Sequence, residues 1–98
     1  MTQILHIIGQ QGVGKSTLAR DIKAAHEARG ISCENLTEVG VHEPGRHTNI
    51  QHIREHGFRV PYDSVPRRAD VVIVEHLDNP YPDQVATGDL LIRLERAA

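Results

Sequence analysis

The chain has 98 residues, 39% of them hydrophobic and 24% charged, which supplies apolar material for one core and argues against disorder. Eleven lysines and arginines against thirteen aspartates and glutamates give a net charge of −2, and this excludes the basic excess of a broad nucleic-acid footprint. A single cysteine, no apolar run near about 18 residues and no leader-like start lead to the expectation of one cytoplasmic domain over residues 1–98, with no intrachain disulfide and no membrane partner.

Ile4-Leu5-His6-Ile7-Ile8 is a short apolar run closed by Gly9, which predicts a strand buried on both faces. Gly9 to Gly14 reads as a glycine-rich turn. From Lys15 the period changes. Leu18, Ile22 and Ala25 fall at i, i+4 and i+7, with Arg20, Asp21, Lys23 and Glu27 on other faces, so an amphipathic helix is expected. It should end near Arg29, with Gly30 as a left-handed cap. Ile31 to Val39 is the next candidate strand, although its alternation is imperfect. Glu43-Pro44-Gly45-Arg46 is a turn signal, and Asn49 to Gly57 a short helix with Ile50 and Ile53 on one face. Pro61 and Pro66 exclude a central strand over Val60 to Pro66, because neither can donate to a ladder.

Val71-Val72-Ile73-Val74, between Asp70 and Glu75, is the strongest strand signal in the chain. Asn79-Pro80-Tyr81-Pro82 reads as a loop, and Asp89 to Leu94 as the last strand. This order predicts an α/β fold: a small three-layer arrangement with a mostly parallel sheet of about four strands and flanking helices. Leu77 to Gly88 lacks a helical pattern, which leaves the last strand open to an antiparallel course or to poor cover.

Gly9-Gln10-Gln11-Gly12-Val13-Gly14-Lys15-Ser16 fits G-x-x-x-x-G-K-[ST] at every position. Glycines let the backbone curl so that successive N–H groups, roughly Gly12 to Ser16, aim at an anion. A helix starting near Lys15 adds the positive end of its dipole at the same place. In this motif the sequence resembles the P-loop NTPase superfamily. The resemblance implies a nucleoside triphosphate, ATP foremost, held with Mg²⁺ by Gly9, Gly12, Val13, Gly14, Lys15, Ser16 and Thr17. Lys15 would reach the β- and γ-phosphates, Ser16 would ligate the metal, and Thr17 would contact the α-phosphate.

Val71-Val72-Ile73-Val74-Glu75 resembles the second strand of that superfamily, an apolar run ending in an acidic residue on the Mg²⁺ side. Asp is more usual there, sometimes followed by a catalytic Glu. Glu75 followed by His76 therefore leaves three roles open: metal ligand, water-activating base, or both. The plain alternative is a polar residue after a buried strand. Glu38, His42 and Glu43 should lie on the same edge of the sheet. In small-molecule kinases of similar layout an acidic residue there takes the proton of a substrate hydroxyl, and the alternative is a solvated loop carboxylate. Arg46, Arg67 and Arg68 could neutralise charge during phosphoryl transfer or simply be surface groups.

His52-Ile53-Arg54-Glu55-His56 matches H-x-x-E-H, which on a helix places two imidazoles on one face without a third metal ligand. Cys33 reads as a small core residue. No N/T-K-x-D element points to guanine. Residues 42–57 and 72–75 also look faintly like the accessory P-loop protein of molybdopterin guanine dinucleotide synthesis. These readings converge on triphosphate binding with hydrolysis or phosphoryl transfer, Lys15 and Glu75 carrying the chemistry. The alternative is a non-catalytic nucleotide-binding module, whose site a homo-oligomer or a protein partner completes.

Overall fold

Gln3–Ile8 forms strand β1, and each residue from Ile4 to Ile8 is buried because the strand has neighbours on both edges and packing on both faces. The structure, a computed structural model, describes residues 2–58 and 68–96. The proline-containing stretch from Val60 to Pro66 and Arg67 lie outside the described residues. Helix α1 spans Lys15–Glu27, β2 Cys33–Asn35, helix α2 Ile50–His56, β3 Val71–His76 and β4 Leu90–Arg93. The four strands make one sheet in the order β2-β3-β1-β4, and every pairing is parallel.

Alternation of side chains sorts the core into two layers. Leu5 and Ile7 of β1, with Val71 and Ile73 of β3, meet Ala19, Leu18 and Ile22 of α1. Ile4, Val72 and Val74 point to the other face, where Ile50 and Ile53 of α2 pack with Leu36 and Phe58. The sheet thus lies between helices, the expected α/β arrangement. Among the described residues no helix is long and apolar enough to cross a membrane.

The helix ends follow from local chemistry. Asn49 caps α2, its side chain accepting from the N–H of His52, and Gly57 stops it at φ 79°. Helix α1 ends at Glu27, two residues before the expected end. There the N–H groups of Arg29 and Ile31 both turn back onto the carbonyl of His26, and Gly30 supplies the left-handed step.

One expectation needs correction, and one open alternative is decided. The second strand is only Cys33–Asn35, not Ile31 to Val39, because the Asn35 side chain accepts from the N–H of Thr37 and turns the chain out of the sheet. The last strand, Leu90–Arg93, is parallel to β1, not antiparallel, since the connection from β3 crosses over β1 to its far side. That connection also holds a short 3₁₀ turn, Pro82–Gln84, which packs against α2. Poor cover of β4 is observed: Leu90 and Leu91 remain half exposed.

Candidate functional site

Parallel strands bring their carboxyl ends to one edge, and here the chain leaves adjacent strands β1 and β3 in opposite directions. After β1 it enters α1 on one face; after β3 it passes to the α2 face. The crevice between two such strand ends is where open α/β sheets bind ligands.

The Gly9–Ser16 turn sits in that crevice. Gly14 has φ 104°, a left-handed conformation that costs other residues, and it starts α1 without any side-chain cap. Gly9 is needed for space, because a Cβ there would lie 2.7 Å from Val13 Cγ1 and 3.0 Å from the Leu94 carbonyl oxygen. Val13 N–H donates to the carbonyl of Gln10 at 3.2 Å, so the expected row of free donors from Gly12 to Ser16 is interrupted there. Among the described residues the N–H groups of Gly12, Gly14, Lys15, Ser16 and Thr17 donate to no protein oxygen. With the helix dipole behind them, they make an anion-directed end of α1.

Lys15 is only 6% exposed, and its ammonium donates to the carbonyls of Gly9 and Gln10, the latter at 3.1 Å. Ser16 Oγ donates to Glu75 Oε1 at 3.0 Å, across 59 residues of sequence. Strand pairing makes that contact possible: Glu75 stands in register with Ile7 and shares the α1 face with Val71 and Ile73. The other carboxylate oxygen, Glu75 Oε2, accepts from Asn35 Nδ2 at 2.8 Å. Glu75 is 2% exposed and lies within β3 rather than after it.

Lys15, Ser16, Thr17, Glu43 and Glu75 line one cleft of about 660 Å³, within the range of small-ligand sites. Gly9 and Val13 face an adjoining groove of about 600 Å³ with Arg93 and Arg96, and Arg96 donates to the carbonyl of Gln11 at 3.0 Å. Ser16 hydroxyl and Glu75 carboxylate are hard oxygen donors of the kind Mg²⁺ takes. That ion uses one or two protein oxygens and completes its octahedron with water and phosphate.

Other expected residues lie elsewhere. Glu38 is ion-paired to Arg20 at 2.9 Å and does not line the cleft, whereas Glu43 does. Arg46 pairs with Glu43 at the cleft, at 2.9 Å, whereas Arg68 donates to the Glu55 carbonyl on α2. His52 and His56 are exposed, with ring centroids 4.7 Å apart. Among the described residues no group of three or more His, Cys, Asp or Glu is placed to hold a metal. Cys33 is a free, buried core thiol that burial pushes up to about 11.

Sequence reasoning missed Asn35 and a buried histidine cluster on the opposite face of the sheet. His6 Nε2 donates to Asp89 Oδ2 at 3.0 Å, so His6 Nδ1 is left to accept from His76 Nε2 at 2.9 Å. His42 donates from Nε2 to the Glu75 carbonyl at 2.7 Å, and its Nδ1 accepts from the Thr48 hydroxyl at 2.6 Å. Arg54 closes the network on Asp89 at 2.5 Å. Burial holds all three imidazoles below their usual range: His76 falls to about 3, with His6 and His42 adding to the effect, while Asp89 partly opposes it at His6. A histidine in the middle of an apolar strand, as at His6, was the available signal. No protein-family model, curated protein or solved structure matches the chain.

Proposed function

We propose that this chain binds a nucleoside triphosphate, ATP foremost, with Mg²⁺ in the cleft at the carboxyl ends of β1 and β3. The observation that carries the reading is the meeting of Ser16 and Glu75 at 3.0 Å beside a run of main-chain donors at the start of α1. Two separate sequence segments, each resembling half of a phosphate and metal site, come together in one cleft.

Each residue has a task that its chemistry suits. The main-chain N–H groups from Gly12 to Thr17, without Val13, hold phosphate oxygens. Lys15 spends two hydrogen bonds on the loop carbonyls and has a third N–H for the β- and γ-phosphates. Ser16, with its proton directed to Glu75, turns its lone pairs to the cleft. Both oxygens of Glu75 already accept hydrogen bonds, which suits orientation on the metal side better than a proton-taking role. Bound Mg²⁺ would supply charge neutralisation on the phosphates. Terminal-phosphate chemistry, by hydrolysis or by transfer to a small acceptor, would then rest on positioning and electrostatics.

Titration calorimetry with Mg-ATP on the parent and on Lys15→Ala tests the binding claim. Removing a charged donor should weaken affinity about ten- to a hundredfold, as expected for hydrogen bonds worth roughly 1.5–3 kcal/mol. Equal affinity in the two proteins, or none in either, contradicts it. Phosphate release in a single-turnover mixture separates an enzyme from a binding module, since a module would leave the nucleotide intact.

A further inference from the structure

The amide of Asn35 is 1% exposed at the end of β2, where the adjoining core positions are apolar. A buried amide without partners is costly, and this one is satisfied at both ends. Its Oδ1 accepts from the N–H of Thr37 at 2.9 Å, and its Nδ2 donates to Glu75 Oε2 at 2.8 Å. The two partners fix the orientation of the amide. The Thr37 N–H can only donate and the carboxylate only accept, so a flipped amide would lose both bonds.

From this geometry we infer that Asn35 is a positioning residue for the metal side of the cleft. The inference rests on the nucleotide reading above and deepens it. Glu75 is held between two uncharged donors, Ser16 Oγ on Oε1 and Asn35 Nδ2 on Oε2. A lysine or arginine in the place of Asn35 would also hold the carboxylate, but it would cancel the charge a cation needs. A neutral amide sets the carboxylate's rotation and leaves its charge available. The partners that orient a metal-side ligand are part of the site's affinity. The bond to Thr37 gives the clamp its rigidity, because the same side chain closes the turn that ends β2.

Two variants separate clamp from turn. Asn35→Ser keeps an oxygen able to accept from the Thr37 N–H but is too short to reach Glu75; Asn35→Leu removes both bonds. ATP affinity is measured calorimetrically in EDTA and across a Mg²⁺ titration, with thermal melts to confirm folding. In Asn35→Ser the EDTA affinity should stay within about twofold of the parent, while the Mg²⁺ needed for half the enhancement rises about ten- to a hundredfold. An unchanged Mg²⁺ response overturns the inference. So does an equal fall with and without Mg²⁺, which a merely structural role would produce. A parent that binds no ATP under either condition refutes the nucleotide reading itself. On the unaltered protein, the Asn35 side-chain amide resonances should move when Mg²⁺ is added to the ATP complex. Resonances that stay in place count against the inference even if both variants fail to fold.

Discussion

Acidifying the protein should begin to destabilise it before its carboxylates are neutralised, and the histidine cluster sets the size of the effect. His6, His42 and His76 are buried among one another, with Asp89 and Arg54 the charged groups that face His6 and Glu75 and Glu43 those that face His42. In the folded protein burial keeps all three imidazoles neutral to lower pH than the usual value of about 6.5, and His76 to about 3. In the unfolded chain each takes a proton near 6.5. Below that value the unfolded state binds more protons, so stability is complete above about pH 6.5 and lost as the pH falls toward the folded-state values. Each imidazole contributes a slope of about 1.4 kcal/mol per pH unit. His76 alone should therefore lower the melting temperature by roughly 6–11 °C per unit, and the three together set a limit of about 4 kcal/mol per unit. Against a total stability of about 5–15 kcal/mol, a few units suffice for unfolding. Circular-dichroism melts from about pH 7.5 down to about pH 4.5 measure this slope. A melting temperature that stays level from about pH 7.5 to about pH 5 would show that the imidazoles are hydrated or protonated in the folded protein, and would refute the reasoning.

Two further outcomes follow from the same core. Arg54 and Asp89 are 8% and 6% exposed at the side chain, so Arg54→Met leaves a buried carboxylate short of its charged partner. It should cost about 3–5 kcal/mol in urea denaturation, and a loss below about 1 kcal/mol would show that the pair is solvated. Cys33, buried and with its thiol pushed up to about 11, should resist iodoacetamide in the native protein and react on unfolding. Native-state labelling as fast as that of a free thiol would contradict its placement in the core.

Strong local patterns made most of the fold readable. Val71 to Val74 and Ile4 to Ile8 could hardly be anything but buried strands, and Asn49 and Gly57 mark the ends of α2 because capping is a local event. The second strand was misread because its end is set by one side chain turning on its own backbone, the Asn35 to Thr37 bond, rather than by hydrophobic period. The direction of β4 depends on where a connection crosses the sheet, which no window of residues records. The glycine-rich loop and Glu75 were visible as motifs. Asn35 and the clustering of His6, His42 and His76 were not, since they join partners 33 to 70 residues apart through strand register. Glu38 was expected at the site as the end of a second strand running to Val39, but the strand stops at Asn35 and Glu38 pairs with Arg20 instead.

On the proposed reading, the start of α1 is a receptor for a polyphosphate tail. Amide ¹H–¹⁵N spectra of the labelled protein, titrated with Mg-ATP and separately with Mg-tripolyphosphate, test it most directly. The signals of Gly12, Gly14, Lys15, Ser16 and Thr17 should move most, and with both ligands, while Val13, bonded to Gln10, should move less. Shifts that are absent from these five, or concentrated on another face of the sheet, would contradict the account.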